Sequence, residues 1–357
     1  MLSVNQDSFL SLVRLGIGYN SIPPKVADWL TIKSLADKQG LTAIIVDAIE
    51  QLPDTKRPPK ELLLQWIGEV FQSYENRYKL YQRAIAELAG WYNTHGYKMM
   101  VLKGYACSID WPKSEHRPCG DIDIWLFGKQ READTLLSKE KSIGIDKGHH
   151  HHTVFEWKSF PVENHYDFVN VHAHKSSAEI ENVFKELGGD DTNTVNVCDE
   201  KVYLPSPNLH ALFLVKHNLS HFAAANITLR QVLDWAFFVE KHTDEIDWDW
   251  LKEILGEYHM RAFFDAINAI CVENLGFESD IFKGVQFNPE LKEKVLSDIL
   301  EPKFEAKEIK YFIPRWWYRM RRWRGNAWKQ KLCYNESRWE NFWSGLLAHI
   351  KKPISEA

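Results

Sequence analysis

The chain has 357 residues, 45% hydrophobic and 26% charged, a composition that fits a folded globular protein and excludes a disordered one. Its net charge of −5 gives no global attraction to nucleic acid, and no apolar run approaches the ~20 residues needed to cross a bilayer. Five scattered cysteines without a C-x-x-C pair read as reduced thiols, and with no basic and apolar leader at the start the expected location is the cytoplasm.

In chain order, the pattern is helical from Ser3 to about His95. Leu63, Ile67, Val70, Phe71, Tyr74, Tyr78, Tyr81, Ile85, Leu88 and Tyr92 recur every three or four residues and predict one continuous helix over Lys60–Asn93, stopped at His95-Gly96. Tyr97–Leu102 predicts a buried strand, then a short helix and a loop from Trp111-Pro112 to Pro118. Gly120–Phe127 alternates acid and apolar residues as a half-buried strand does. Arg131–Ser142 reads as a helix. Val154–Trp157 and Phe160–Phe168 read as strands joined by a turn at Lys158-Ser159, and His172 and His174 suit a further strand. Beyond Pro205-Ser206-Pro207 the chain is helical again over Leu209–Leu219, Leu229–His242, Trp248–Tyr258, Phe263–Leu275 and Pro289–Leu300, with no internal repeat. The expected fold is α+β: a helical unit over 1–95, a small mixed-sheet core over 96–204, and a helical unit over 205–357 with a basic, aromatic tail.

The chemistry concentrates in the middle unit. Side chains at i and i+2 of a strand share a face, so Asp121 and Asp123 project together while Ile122, Ile124 and Leu126 sink inward. Paired carboxylates at the start of a strand suit a hard divalent ion such as Mg²⁺. Glu163 and His165 share a face of the later strand, which makes Glu163 the expected third acid of a two-metal site. Arg117, three residues before Gly120, is placed to orient the acids or grip a phosphate. Lys216 and Arg230 are the helical unit's best cations for neutralising phosphates.

These pieces resemble a family. Leu102-Lys103-Gly104, then Arg117-Pro118-Cys119-Gly120-Asp121-Ile122-Asp123-Ile124, then Val162-Glu163-Asn164-His165-Tyr166 are similar to the nucleotidyltransferase superfold typified by DNA polymerase beta, and within it to the bacterial nucleotidyltransferases of the NTP_transf_5 type. Lys216-His217, His221, Arg230 and Asp234 resemble that family's helical continuation, so the likeness spans roughly residues 60 to 250. The resemblance implies a nucleotidyltransferase core in which Asp121, Asp123 and Glu163 coordinate two Mg²⁺ ions. It implies an NTP substrate whose contacts include Lys103, Gly104, Arg117, Gly120 and His165, Gly104 letting the backbone approach the phosphates. The acceptor is unidentified: a small molecule, a protein or RNA. One departure stands out, because Tyr105 follows Gly104 where the superfold commonly has Ser or Gly. That leaves open a degenerate module that binds nucleotide without turnover.

Three other features allow more than one reading. His217 and His221, at i and i+4, have a zinc-compatible spacing or line the nucleotide site, and with the run His149–His152 they raise the alternative of a histidine-rich metal hydrolase. His149–His152 also suits a phosphate donor, an adventitious Ni²⁺ or Zn²⁺ site or an exposed strand entry. Residues 315–331 interleave basic side chains with tryptophan, which suits a helix packed on the body, a membrane-surface or protein contact, or base stacking.

Overall fold

The computed structural model describes residues 2–19, 22–24, 28–304 and 312–336. Helix α1 (Val4–Gly16) opens on a reciprocal Ser3/Gln6 capping box, and α2 (Trp29–Gln39) opens on the Asp28 carboxylate and closes on left-handed Gly40. After α3 (Thr42–Glu50), a helical run carries α4 (Lys60–Glu69), a π-helical turn over Val70–Glu75 and α5 (Asn76–Thr94). The π turn corrects the single-helix expectation. Its wider turn rotates the apolar stripe, so Ile67 and Phe71 are 42% and 55% exposed while Tyr74, Tyr78, Tyr81, Ile85 and Leu88 stay buried.

Strand β1 is shorter than the sequence suggests, only Met100–Val101, and leads through Lys103-Gly104 into α6 (Tyr105–Ser108). Then follow β2 (Ile122–Trp125), α7 (Gln130–Lys141), and the hairpin of β3 (His152–Trp157) and β4 (Phe160–His165). Lys158 and Ser159 both take positive φ in the hairpin turn. Helix α8 (Lys175–Leu187) and a second hairpin, β5 (Thr194–Val197) and β6 (Glu200–Tyr203), complete the middle. His172 lies in a turn and His174 precedes α8, so the strand expected there is absent. Helices α9 (Pro207–Ala224), α10 (Leu229–His242), α11 (Trp248–Glu257), α12 (Arg261–Glu273) and α13 (Pro289–Leu300) follow the apolar periodicity closely, and α14 (Phe312–Gly325) and α15 (Ala327–Cys333) come last.

The six strands form one mixed sheet in the order β3-β4-β2-β1-β6-β5. Strand β2 lies between antiparallel β1 and parallel β4. Its alternation divides the molecule. Ile122 and Ile124 enter a core shared with Tyr81, Ile85, Leu88 and Tyr92 of α5, whereas Trp125 enters the opposite core. That second core holds Phe9 and Leu12 of α1, Ile44 and Ile45 of α3, and the buried faces of α9–α13. Helices α1–α4 from the N-terminal segment and α9–α13 from the C-terminal segment therefore share the core on the sheet face that carries Asp123, while α5 covers the other face.

Candidate active site

In the parallel register of β2 and β4, Asp123 lies opposite Glu163 and Trp125 opposite His165. The alternation that sends Ile122 and Ile124 towards α5 turns Asp123 the other way, into a position with no solvent exposure. A buried carboxylate needs compensation. Asp123 Oδ1 accepts from Lys103 Nζ at 2.9 Å and from His165 Nε2 at 3.1 Å. Its other oxygen, Oδ2, is buried without a hydrogen-bond partner. His165 Nε2 also lies 3.7 Å from Glu163 Oε2.

The charges hold one another in place. Burial pulls His165 down, but hydrogen bonds to Asp123 and Glu163 win and push it up to about 9. Burial would raise Glu163, yet His165 and Lys103 hold it below the usual carboxylate value. Lys103, despite burial, is raised by Asp123, Asp121 and Glu163. Donor atoms of Asp123, Glu163 and His165 lie within 4.8 Å of one another, which with the orphaned Oδ2 fits a divalent cation. Asp121, half-buried one residue before β2, is outside that cluster, in which His165 stands third beside Asp123 and Glu163.

The loop before β2 is held from several sides. Tyr81 of α5 donates to the Asp121 carbonyl at 2.7 Å, and Arg77 Nε donates to the Cys119 carbonyl at 3.1 Å. Gly104 has φ +60, and a Cβ there would lie 2.5 Å from the Tyr81 hydroxyl. This gives Gly104 a structural requirement of its own. Arg117 is not open to a phosphate: its guanidinium is buried and forks onto Asp234 of α10 at 2.7 and 2.9 Å, with Trp111 Nε1 on the same carboxylate at 2.9 Å. Gly120 is exposed beside Asp121. Tyr105 turns inward, its ring stacked on Tyr78 at 6.2 Å.

Across from the acids stands α9, with a different face forward from the one expected. Lys216 is buried, donates to Ser177 of α8 at 3.2 Å and lies 4.9 Å from the Tyr334 ring. Its charge is committed there and not to the carboxylates. One residue on, His217 and, a turn later, His221 bring their rings together at a tilt, centroids 4.3 Å apart. Both are held below the normal imidazole value, first by desolvation and next by the Lys103 ammonium, with Glu163, Asp121 and Asp123 opposing the shift at His221. Arg230 of α10 joins this wall. Burial and the neighbouring Arg117 lower it, while Asp234 and Asp121 oppose. The open groove lined by Arg83, Trp91, Lys158 and Glu200 contains none of these residues.

Residues 25–276 match a family described as "Uncharacterised nucleotidyltransferase", NTP_transf_5. The chain belongs to this family. No curated protein and no solved structure matches it. Around the acids the fold brings together Lys103, Gly104, Asp123, Glu163 and His165, all legible in the sequence, with Tyr81, whose only sequence signal is its place on the apolar stripe. The part of the tail described docks on α9: Lys329 donates to the Ala225 carbonyl at 2.8 Å and pairs with Asp298, and Trp328 meets Phe222 edge-on at 5.6 Å. Arg315 and Trp316 have no described side chains, and Trp317 is 60% exposed. Among the described residues no helix is long and apolar enough to cross a membrane.

Proposed function

We propose that this nucleotidyltransferase moves a nucleoside monophosphate from an NTP to a hydroxyl or phosphate acceptor and releases pyrophosphate. The observation that carries this reading is the in-register pair Asp123 and Glu163 on adjacent parallel strands, beside Lys103-Gly104 at the end of β1. Asp123, Glu163 and the more open Asp121 would hold two Mg²⁺ ions, which when bound supply Lewis acidity at the α-phosphate and neutralise triphosphate charge. His165 donates to Asp123 and fixes its orientation. Lys103 balances the buried charge. Glu163, held ionised, acts as a ligand more readily than as a base. Among the described residues Arg230 is placed to meet the triphosphate from the helical side, and His217 and His221 offer neutral imidazoles beside it.

The test is to incubate the full chain with each α-labelled NTP, Mg²⁺ and a cell extract, following label transfer and pyrophosphate release. Asp123→Asn and Glu163→Gln should each lower transfer by more than about 100-fold, since removal of one charge-stabilising group typically costs 10²–10³. Unchanged transfer in either variant overturns the assignment. The Lys103–Asp123 ion pair favours one second reading, a module that binds nucleotide while its own ammonium occupies an acid. ATP retention with no pyrophosphate from any NTP would establish that reading.

A further inference from the structure

The run His149–His152 enters the sheet beside the acids, and the hairpin arranges it with precision. His152 pairs directly opposite His165 in the antiparallel register of β3 and β4. Directly opposed residues in such a pair have Cβ atoms about 4.5–5.5 Å apart, a spacing at which two imidazoles reach a common point. The preceding residue is pinned as well, because the His151 carbonyl accepts from the backbone N–H groups of Tyr166 and Asp167 at 3.0 and 3.1 Å. Ring centroids of His151 and His152 are 4.4 Å apart, those of His152 and His165 5.2 Å, and those of His151 and His165 5.5 Å. One ring nitrogen from each lies within 4.8 Å of one from each of the others.

His165 already has partners, Asp123 at Nε2 and the Asp167 carbonyl at Nδ1, but the two imidazoles that converge on it need something to bond. His152 is only 7% exposed, yet neither of its ring nitrogens has a hydrogen-bond partner, and Nδ1 of His151 is likewise buried and unpartnered. Buried polar atoms without partners are rare and costly in a settled fold. The nearest carboxylate, Glu163, has its Oε1 at 3.8 Å from His152 Nε2, beyond hydrogen-bond length but placed to complete a coordination shell. Imidazole donors select borderline ions such as Zn²⁺, whereas Mg²⁺ takes oxygen.

We propose that His151, His152 and His165 form a binding site for a borderline divalent transition-metal ion of the Zn²⁺ class, distinct in donor chemistry from the acid cluster it adjoins. Three imidazoles with an open fourth position is a ligand set typical of zinc. The site does not depend on the transferase reading, since its ligands and its signal are independent of turnover. It does share His165 with Asp123, so an ion on that imidazole withdraws a hydrogen bond from the acid cluster.

The probe is Co²⁺ alone, added to full-length, tag-free, chelator-treated protein, because tetrahedral Co²⁺ with nitrogen ligands absorbs strongly in the visible. The expected result is one equivalent bound per chain, displaced by Zn²⁺ and unaffected by excess Mg²⁺. His152→Gln and His151→Asn, each checked for an unchanged circular dichroism spectrum, should weaken binding by more than about tenfold, the least that loss of even an outer-shell partner costs. Asp123→Asn should leave the band in place. No stoichiometric band overturns the proposal. So does a band that survives both histidine substitutions, which is surface adsorption, or one abolished by Asp123→Asn, which is the acid cluster alone.

Discussion

Lys103 and His165 make a fully buried Asp123 tolerable, and they do so with charge that belongs to the protein itself. Lys216 is a contrasting case: burial lowers its pKa to about 8, with Cys333 and Glu336 opposing. Between about 8 and the ordinary lysine value the unfolded chain binds more protons than the folded one, so stability should rise with pH across that window. Below it the charged ammonium costs on the order of 1–3 kcal/mol. Lys216→Met should therefore be more stable at pH 7 and lose most of the slope between pH 8 and 10.5, read from urea unfolding at a series of pH values. A wild-type curve flat over that range would refute this account of Lys216. Asp123, Glu163 and His165 were legible because a strand's two-residue period fixes which side chains share a face. Lys216 was misplaced because a one-residue step on a helix turns about 100°, and α9 is buried on so many sides that its apolar pattern does not single out the face towards the acids.

At the scale of elements, α5 and the turn after β1 depend on each other through Tyr81 and Gly104. Alanine at 104 meets the Tyr81 hydroxyl and must also take a positive φ, so Gly104→Ala should lower stability by about 2 kcal/mol or more. Adding Tyr81→Phe removes the clash and should recover part of that loss, although the Asp121 carbonyl then loses its donor. A double-mutant cycle in urea reads the coupling, and strict additivity would show that the two residues do not interact. The amphipathic helices from α10 to α13 were readable because each keeps one apolar stripe over several turns. The β5–β6 hairpin was not. Its strands have four residues each, mostly polar or half-exposed, and its turn places Cys198 and Asp199 at positive φ without the Asn-Gly signature. In α8 the large apolar residues, Ile180, Val183, Phe184 and Leu187, occupy only the second half, so its first turns carry no apolar stripe to read.

Over the whole molecule, the three segments read from the sequence do not correspond to three cores. Gln39 at the end of α2 shows why: its amide donates to the Ile299 carbonyl of α13 at 2.9 Å and accepts from the Leu229 N–H of α10 at 2.8 Å. Arg14 of α1 likewise reaches the Asn274 carbonyl at 2.8 Å. Gln39→Leu strands two buried backbone groups and should cost about 2 kcal/mol or more. The N-terminal and C-terminal helices should then lose structure together, with far-ultraviolet dichroism and tryptophan fluorescence shifting by the same amount. An early, separate transition of the N-terminal helices would refute the shared core. Sequence patterns could not reveal this arrangement, since apolar periodicity marks a buried face without naming what covers it.

The stretch from Ile109 to Asp121 is fastened along its length: Ile109 by Lys241, Trp111 and Arg117 by Asp234, Lys113 and His116 by Asp47, Cys119 by Arg77 and Asp121 by Tyr81. A wall riveted to α3, α5 and α10 at once resists a hinge motion that would swing its two sides apart as jaws do. Access to the proposed site then falls to individual side chains such as the exposed His221, whose rotamers change in picoseconds to nanoseconds, whereas a domain would need microseconds or longer to open. The proposed catalytic centre is in this sense a fixed frame with a movable latch.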